Sequence, residues 1–536
     1  GDLRVGKVLS SDRATLDVIR SVMGLDADAP IPACDLRIGT TLATNALLER
    51  RGRRTALAIT RGFGDLLAIG TQARPDLFAL DIQKPEALPE RVIEIDARLD
   101  AQGRISSRPD VGALATELAA LVAEGMQSLA VVVIHSYLDP TLEAELGTIA
   151  RAVGFEHVSL SHRVSPELGL LARTETTVLD AYLTPLIRDH FAALSEELPG
   201  STLEAMQSSG GLIAAPLLTG PHAILSGPAG GLVSVGAIAG AAAAEKAIGF
   251  DMGGTSTDVS RWAGELPVVY EAEHAGLRVR APMMDIHTIA AGGGSLCRVD
   301  GNRLAVGPES AGAEPGPLVY GHPEARELTL TDVNVALGRL PVDRFPFRLH
   351  PARAEARLAE LAGQLATSGS PLDPRSVAEG FVDVANSAMA EAIRRVSIAR
   401  GHDVRDHALV VFGGAGGQHA CGIARRLGIR RLLFHPLAGV QSAFGIGLAD
   451  RVSHVERDAG RARLEATSRS ALEVAFAELE REATAALIRS GVPPGDVTLI
   501  RRLDLRYVGS EARLTLAFDD AEELIGGFHA AHEQTY

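Results

Sequence analysis

Cysteine is scarce in this sequence of 536 residues: the three cysteines, Cys34, Cys297 and Cys421, lie far apart and form no CxxC pair. An odd number of distant cysteines argues against a disulfide framework and against a structural zinc site. This cysteine usage is typical of the reducing cytoplasm, where we expect the protein to reside.

Positive charge and aromatic residues are also in short supply. The formal net charge is -15, aromatic residues make up 4% of the sequence, and no basic run is interleaved with aromatics. Because a chain of this charge repels a polyphosphate backbone, nucleic acid is not an expected partner.

Apolar runs long enough to span a bilayer comfortably are missing. The longest uncharged run, Ala229 to Ala244, closes on Glu245 and Lys246, and we interpret it as a closely packed helix. We therefore expect no membrane association. The first residues, GDLRVGKVLS, show neither an initiating methionine nor a leader pattern, which suggests that a segment precedes them.

Two common nucleotide-binding motifs are absent as well. The only Gly-Lys pair, Gly6-Lys7, precedes Val8, so there is no Walker A motif. The Rossmann fingerprint fails in GGAGGQH because His419 stands where a third glycine is required. Dinucleotide binding is therefore the weaker interpretation of that loop.

What the sequence does contain is an alternation of short apolar strands and longer helical patterns, which is typical of an α/β protein. The predicted elements are strands over 54–60 and 128–137, helices over 111–124 and 176–198, and a strand, glycine loop and helix over 409–428. After Asp450 the pattern changes to a charged helix, 464–490, followed by alternating strands around Gly509. We place a domain boundary near 451–462.

The stretch FDMGGTSTDVS, 250–260, is interpreted as two strands joined by a turn. Gly253 and Gly254 lack a Cβ, so the backbone can take positive φ and point its amides at phosphate oxygens. Thr255 and Thr257 would add hydroxyl donors at the rim of this turn. The alternative is an ordinary hairpin with solvated threonines.

An aspartate stands on either side of the same turn. Asp251, at the end of the first strand, is suited to hold a magnesium ion or its waters. Asp258 could do the same or orient an attacking group. This bracketing favours the phosphate interpretation over the ordinary hairpin.

Further glycine clusters follow the same logic. VFGGAGGQHA places four glycines, Gly413, Gly414, Gly416 and Gly417, between a buried strand and a helix, where the chain can approach a flat ring or a phosphate. SGPAGG, with Gly227 and Gly230, and AAGGGS, over 290–295, are explained equally well by close packing when taken alone. Together the clusters predict one nucleotide cleft.

Several histidines are candidates for proton transfer or metal binding. Asp285 and His287 alternate in MDIHT and would face the same side of a strand. They could bind a metal, handle a proton or simply share a hydrogen bond. His135, at the end of a predicted strand, and His419, at a helix start, are similar candidates.

Several longer motifs resemble the hydantoinase A and 5-oxoprolinase family. They are DMGGTSTDVSRWAGEL, TIAAGGGS, VGPESAGAEPGP, LTDVNVALGRL, VFGGAGGQHACGIARRLGI, GTTLATNALLERRG and TRGFGDLLAIGTQARPDLF. The resemblance runs from the first residues to the last. GGAGGQHACGIAR, RWAGE and GTQARPDLF look closer to 5-oxoprolinases than to N-methylhydantoinases or acetone carboxylase subunits.

The resemblance implies an α/β fold of the actin, hexokinase and Hsp70 type, in which two ribonuclease-H-like halves each present a phosphate hairpin to a central cleft. It implies an N-terminal domain over 1–175, a central domain over 176–455 and the start of a C-terminal α+β unit over 456–536. The family's first hairpin reads DxGGTxTD. Since Gly1–Ser10 resembles the strand just after it, only the second hairpin, Asp251–Asp258, is expected.

The implied activity is ATP-dependent opening of a cyclic amide, with 5-oxo-L-proline giving L-glutamate. ATP would be bound by Asp251, Gly253, Gly254, Thr255, Thr257, Gly413, Gly414, Gly416, Gly417, Gly227 and Gly230, with Mg²⁺ on Asp251. Catalytic groups would be Asp258, Asp285 and His287, the last two also being candidate metal ligands. The substrate would meet Thr40, Thr41, Arg61 and Arg74, because a guanidinium suits its carboxylate.

Three alternatives remain open. The chain could be an N-methylhydantoinase A or an acetone-carboxylase-type ATP-binding subunit, or a nucleotide-dependent regulatory or scaffold subunit, since one fold serves many functions. The resemblance also implies a hydantoinase-B-type half, fused or separate, and a homo- or hetero-oligomer.

Overall fold

The computed structural model describes residues 3–8, 13–71, 78, 80–81, 84, 86–274, 276–345, 347–365, 372–460, 463–464, 469–510, 512–518 and 521–535. Within this part of the chain the architecture is mixed α/β. No helix of the described residues is both long and apolar enough to cross a membrane.

The first region is built around a parallel sheet. Its elements are α1 (Ala14–Met23), β1 (Asp35–Ile38), α2 (Leu42–Leu48), β2 (Thr55–Thr60), α3 (Leu66–Ile69), β3 (Arg91–Ile95), β4 (Arg98–Leu99), β5 (Ile105–Ser107), α4 (Val111–Ala123), β6 (Ser128–Val132), α5 (Thr141–Ala152), β7 (His157–Leu160) and α6 (Ser161–Val164). The order β3-β2-β6-β7 is parallel throughout. β2 and β6 are buried along their whole length because helices cover both faces of the sheet.

The chain then returns to β1. The next elements are α7 (Leu170–Glu197), β8 (Thr202–Met206), β9 (Leu212–Ala214), α8 (Gly220–Ala223) and α9 (Ser226–Ala241). β8 pairs in parallel with β1 and antiparallel with β9. α7 covers the face of the first sheet opposite α4 and α5, with Val178, Leu179 and Leu183 in one core with Leu57 and Ile59 of β2.

The second region contains a five-stranded sheet. Its elements are β10 (Ala247–Met252), β11 (Thr257–Trp262), β12 (Val268–Val269), β13 (Ala272–His274), β14 (Leu277–Val279), β15 (Met283–Met284), β16 (Ile286–Ile289), β17 (Ser295–Asp300), β18 (Arg303–Ser310), α10 (Leu330–Ala336), α11 (Pro351–Leu365), α12 (Pro374–Val396), β19 (Ala408–Phe412), α13 (Gly416–Leu427), β20 (Arg431–Phe434) and α14 (Gln441–Leu448). The order is β16-β11-β10-β19-β20.

The pairing in this sheet is the pattern that the ribonuclease-H-like prediction requires. β10, β11 and β16 form an antiparallel meander, whereas β19 and β20 run parallel to β10. α12 and α13 lie on one face with Phe250 and Val259. α9 and the end of α14 lie on the other face with Ala247 and Val410. Alternate residues of β10 and β11 therefore face different surroundings.

The last described elements are α15 (Arg469–Arg489), β21 (Arg502–Leu505), β22 (Leu514–Ala517) and α16 (Ala521–Thr535), with β21 and β22 antiparallel. The segment 450–452, which precedes these elements, is hydrogen-bonded to β9. Leu212 N donates to Asp450 O at 2.8 Å, and Val452 N donates to Leu212 O at 3.1 Å.

Two of the predicted element boundaries are wrong, and one glycine cluster that was left without an element lies in a helix. The strand predicted over 128–137 ends at Val132, because a side chain, Glu143, accepts the next amide, that of Val133. The helix predicted from 176 begins at Leu170. The SGPAGG cluster is the first turn of α9, so it belongs to a helix.

Candidate active site

The β10–β11 hairpin closes with the four residues 253–256, and Gly253 N donates to Ser256 O at 3.0 Å. Gly254 and Thr255 are exposed, and a Cβ on Gly254 would meet nothing within 4 Å. Neither Gly253 nor Gly254 is among the described glycines with positive φ, so the predicted backbone conformation is wrong. The loop is nevertheless open, because in the described part of the chain the amides of Gly254 and Thr255 donate to no protein group.

Two carboxylates face each other beside this loop. Asp251 and Asp258 are direct cross-strand partners, and Thr288 of β16 donates its hydroxyl to Asp258 Oδ1 at 2.6 Å. Burial raises the pKa of Asp251 to about 6, with a further contribution from the charge of Asp258. Burial also raises the pKa of Asp258. Two partly desolvated carboxylates of like charge suit a divalent cation, which binds oxygen ligands and relieves their repulsion.

Three glycine clusters meet at this edge of the sheet. Because β10 and β19 are parallel, the loops that follow them are adjacent, and Ala415 N donates to Met252 O at 2.9 Å. Gly413 has φ of 78°, and a Cβ there would lie 2.4 Å from Met252 O and 2.5 Å from Asp251 Oδ1. Only glycine fits such an approach.

The AAGGGS cluster supports the hairpin from its other side. Gly293 N donates to Gly253 O at 3.0 Å and Gly294 N donates to Gly254 O at 2.6 Å. The carbonyl groups of the hairpin glycines are thus engaged by protein. This fixes the loop through its carbonyls while the amides of Gly254 and Thr255 stay free for a ligand.

The remaining glycines of VFGGAGGQHA play different roles. Gly414 and Gly417 are exposed, and a Cβ on Gly414 would meet nothing within 4 Å. Gly416 is buried, and a Cβ there would lie 3.2 Å from Val411 Cγ1. Its contact is therefore with the core beneath α13, which corrects its assignment to the nucleotide.

Thr255 and Thr257 lie in different surroundings. Thr255 is exposed at the tip of the hairpin. Thr257 is fully buried, and its hydroxyl donates to Ala291 O at 2.5 Å. The strand alternation turns Thr257 to the face opposite Asp258, so its assignment as a phosphate ligand is wrong.

Gly230 is explained by helix packing. A Cβ on this residue would lie 2.7 Å from Ser442 O and 2.6 Å from Ile446 Cγ1 of α14, and a Cβ on Gly445 would lie 1.8 Å from Gly230 O. α9 and α14 thus cross at glycine contacts. Gly230 belongs to this crossing, which corrects its assignment to the nucleotide.

Gly227, Thr40 and Thr41 form a second group at the start of α9. Thr40 N donates to Ser226 Oγ at 3.1 Å, and a Cβ on Gly227 would lie 3.9 Å from Thr41 Cγ2. α14 links this group to the acidic pair: its Ile446 touches the Cβ position of Gly39, next to Thr40. Ser442, one turn earlier on α14, donates to Asp251 Oδ2 at 3.4 Å.

Asp285 and His287 do not join the acidic pair. Arg400 donates to Asp285 Oδ1 at 3.0 Å, forming an ion pair. His287 is the cross-strand partner of Val259, on the sheet face opposite Asp258. Burial lowers the pKa of His287, with a further contribution from Arg395. The predicted catalytic group is therefore split between two faces, and the described residues contain no group of three or more metal-ligating side chains.

His419 is held by two amides. Its Nδ1 lies 2.8 Å from Asn386 Oδ1 and its Nε2 lies 3.0 Å from Asn334 Nδ2. Burial lowers the pKa of His419 to about 4. Both ring nitrogens of the neutral imidazole are satisfied, so its role is structural.

The two predicted substrate arginines have different outcomes. Arg61 forms a two-pronged ion pair with Asp96, with Nε–Oδ1 and Nη2–Oδ2 distances of 2.6 and 3.0 Å. Its fork is therefore paired with protein, and a substrate carboxylate would have to displace Asp96, so the assignment to the substrate stays a prediction. Arg74 lies outside the described residues.

Three further residues, which contact or influence Asp251 or lie next to one that does, are not among the predicted site residues. They are Ser442, whose hydroxyl reaches Asp251, Lys7, whose charge lowers the pKa of Asp251, and Gln441. Gln441 is 1% exposed, and within the described part of the chain neither atom of its amide has a partner. Gln441 and Ser442 lie in GVQSAFGIGLAD, an apolar helical pattern that predicts only packing. For Lys7, the Gly6-Lys7 pair is a sequence feature that could have marked a candidate site residue.

Comparison with known families covers most of the chain. The family described as "Hydantoinase/oxoprolinase N-terminal region" matches residues 1–154, and "Hydantoinase/oxoprolinase" matches residues 173–455. Curated relatives include 5-oxoprolinase 1 of Arabidopsis thaliana, 39% identical over 94% of this chain and 43% of that protein. Another is the 5-oxoprolinase of Saccharomyces cerevisiae, 38% identical over 94% of this chain and 42% of that protein. The chain thus spans less than half the length of these relatives.

Two solved structures share the fold. The ATP-dependent caprolactamase from Pseudomonas jessenii matches with a TM-score of 0.81 and 28% identity, over 98% of this chain and 79% of that chain. Nucleotide-free acetone carboxylase matches with a TM-score of 0.74 and 21% identity, over 100% of this chain and 82% of that chain. At 21% identity, the similarity to acetone carboxylase is evidence for a shared fold only. Both matches confirm the predicted fold class.

Proposed function

Since this chain belongs to the hydantoinase/oxoprolinase family, we propose that it is the ATP-binding part of a hydrolase that opens a cyclic amide, with 5-oxo-L-proline as substrate and L-glutamate as product. The observation that carries the proposal is the acidic pair Asp251 and Asp258 beside the open hairpin loop. The similarity to 5-oxoprolinases supports the choice of substrate.

The chemistry of the substrate explains the need for ATP. A five-membered lactam is a poor electrophile, and transfer of the terminal phosphoryl group of ATP to the amide oxygen activates the ring carbon for attack by water. In sum, one water molecule cleaves the ring C–N bond and its proton goes to the nitrogen, while a second takes up the phosphoryl group. Glutamate, ADP and phosphate are the products.

The residues fit this task. The amides of Gly254 and Thr255 donate to no protein group in the described part of the chain, and the open surroundings of Gly414 would let the backbone approach a phosphate. Asp251 and Asp258 supply the oxygens that would hold Mg²⁺, which would neutralise charge on the polyphosphate. Ser442 fixes one oxygen of Asp251 and so orients that carboxylate.

We also propose that a hydantoinase-B-type half, fused or separate, completes the enzyme in a cytoplasmic homo- or hetero-oligomer. The additional half is supported by the length of the relatives, of which this chain covers 43% and 42%. A ring-opening enzyme for a lactam that bears no carboxylate is the second candidate, favoured by the similarity to caprolactamase.

Calorimetric titration with MgATP tests the nucleotide site. We expect Asp251→Asn to weaken MgATP binding at least about tenfold, because one of the two metal-facing carboxylates is lost. The control is Asp343→Asn, an exposed aspartate in the segment Val342–Arg344. Equal affinities for MgATP in the two variants would remove Asp251 from the site.

The reaction is tested with the chain joined to its hydantoinase-B-type half. Phosphate and ring-opened product are measured with 5-oxoproline, hydantoin, caprolactam and acetone. We expect 5-oxoproline to give the highest stimulated ATP hydrolysis together with glutamate. Nucleotide binding without stimulation by any of the four compounds would instead indicate a regulatory or scaffold subunit.

A further inference from the structure

Phe434 is an aromatic residue whose ring is left uncovered at the edge of the five-stranded sheet. It is the last residue of β20 and is 55% exposed. Its register partner is Val411 of β19, which belongs to the core that α13 covers, and Leu432, two residues before Phe434, packs against the same core. Because side chains alternate along a strand, Phe434 also projects to the face that carries α13. It lies at the carboxyl edge of that face, where α13 begins.

The first turn of α13 leaves this ring open because it contains glycine. The Cβ position of Gly417 lies 4.0 Å from Phe434 Cε1, so a longer side chain at position 417 would lie against the ring. The backbone does not require glycine here, since Gly417 lies within α13 and is not among the described glycines with positive φ. Glycine weakens a helix relative to alanine. What it provides at this position is open space beside an aromatic face.

The glycine loop before α13 connects this ring with the acidic pair. β10, β19 and β20 are parallel neighbours in that order, so the loops that follow them meet at one edge of the sheet. Asp251 of β10 and Phe434 of β20 lie two strands apart, a separation of about 10 Å between their backbones. Between them lie Gly413, whose Cβ position is 2.5 Å from Asp251 Oδ1, and Gly414, whose Cβ would meet nothing within 4 Å. A ribose with its chain of phosphates bridges a distance of this order.

We propose that Phe434 stacks on the base of ATP, while the phosphates lie at the hairpin loop and the acidic pair. The inference rests on the proposed function, which it deepens by assigning the residue that binds the base. An exposed aromatic face holds a planar base by stacking and needs no hydrogen bond to it. Gly417 keeps that face accessible.

The test compares MgATP with magnesium tripolyphosphate, which has three phosphates but no nucleoside, in calorimetric titrations of the chain. We expect the wild type to bind MgATP at least about fivefold more tightly than magnesium tripolyphosphate. Phe434→Leu should lose most of this preference without a change in its affinity for tripolyphosphate, whereas Phe434→Trp should keep it. An unchanged preference in Phe434→Leu, or none in the wild type, overturns the proposal.

The matched control is Phe347→Leu. Phe347 is 46% exposed and packs on Tyr320, with 5.1 Å between the ring centres, in the segment before α11. It has a similar exposure but lies in another part of the fold, so its replacement should leave the preference for MgATP as in the wild type. An equal loss of preference in Phe347→Leu and Phe434→Leu would contradict a specific role of Phe434.

A second variant, Gly417→Gln, separates access to the ring from folding. Because position 417 is helical and its Cβ has room, we expect a melting temperature no lower than that of the wild type. The longer side chain should cover Phe434 and weaken MgATP binding at least about fivefold, with tripolyphosphate binding unaltered. Gly417→Ala is its control, since one methyl group at 4.0 Å leaves the ring open. Unchanged MgATP binding in Gly417→Gln would place the base elsewhere.

Failure of this inference and failure of the proposed function give different results. If MgATP and magnesium tripolyphosphate bind equally well and Asp251→Asn weakens both, Phe434 has no part in binding and the proposed nucleotide site stands. If neither compound binds to the wild type, the nucleotide site itself is wrong, and this inference falls with it.

Discussion

The fold keeps the carboxylates of Asp251 and Asp258 close together, where their negative charges repel each other. They face each other across two strands, and burial together with the charge of Asp258 raises the pKa of Asp251 from 3.8 to about 6. An acid whose pKa is higher in the folded state makes the protein less stable as pH rises through that interval. A bound cation would therefore relieve the electrostatic repulsion between these two carboxylates.

We predict that Asp251→Asn stabilises the ligand-free chain at pH 7 by about 1 to 3 kcal/mol, because the neutral amide ends the repulsion. The gain should shrink as pH falls below about 6, where Asp251 becomes protonated in the wild type. Thermal unfolding of both proteins at pH 7 and pH 5 measures this. Asp403→Asn is the control: Arg405 lowers the pKa of Asp403 to about 2, so its removal should not stabilise. A pH-independent effect of Asp251→Asn would contradict the argument.

The crossing of α9 and α14 illustrates how glycines set the distance between two elements. Gly230 and Gly445 let the helix backbones touch, and this contact places Ser442 against Asp251. Side chains at these positions would push α14 away from α9. The geometry of the acidic pair therefore depends on a helix contact that contributes no functional group of its own.

Gly230→Ala should destabilise the chain by about 1 to 3 kcal/mol, because its methyl group would overlap Ser442 O and Ile446. Gly240→Ala is a matched control on the same helix, since a Cβ there would meet nothing within 4 Å. It should stabilise by about 0.5 to 1 kcal/mol through helix propensity. Denaturant unfolding of the two variants gives both values. Equal effects would mean that the crossing is not tightly packed.

The sequence predicted elements better than it predicted which residues share a site. The strand, glycine loop and helix over 409–428 are confirmed by β19 and α13, because glycine runs and apolar periodicity are local signals. Thr257 and Asp258 lie on opposite faces of the sheet because neighbouring residues of a strand alternate, and this alternation can be read from the sequence once the strand is placed. Ser442 could not be assigned from its surroundings, since it reaches Asp251 only through tertiary packing.

An ion cluster joins three distant parts of the chain. Arg513, between β21 and β22, lies 2.8 Å from Glu167 Oε2 and 3.0 Å from Glu271 Oε2, while Arg280 lies 2.8 Å from the same oxygen of Glu271. Burial raises the pKa of the neighbouring Glu456 to about 7, with further contributions from Glu167 and Asp504. This cluster connects β21 and β22 to the regions of the chain that contain Glu167 and Glu271.

Arg513→Gln should loosen this attachment, because Glu167 and Glu271 lose a shared cation. Hydrogen exchange measured by mass spectrometry should then be faster in β21 and β22. Arg489→Gln, at the exposed end of α15, is the control of equal charge change. Unaltered exchange in Arg513→Gln would show that other contacts hold these strands.

The same cluster should respond to pH. Since the pKa of Glu456 is raised, its neutral form is favoured in the folded chain, and docking should weaken as pH rises through about 7. Exchange in β21 and β22, corrected for intrinsic rates, should therefore be faster at pH 8 than at pH 6. Glu456→Gln should remove the difference. A difference that persists in this variant would assign it to another group.

α14 touches the acidic pair through Ser442 and the segment before α2 through Ile446, four residues apart on one short helix. One rigid helix therefore joins the surroundings of Asp251 to those of Gly39. A displacement of α14 would change both surroundings together, so a fluorescent reporter beside Gly39 would respond to a rearrangement at Asp251.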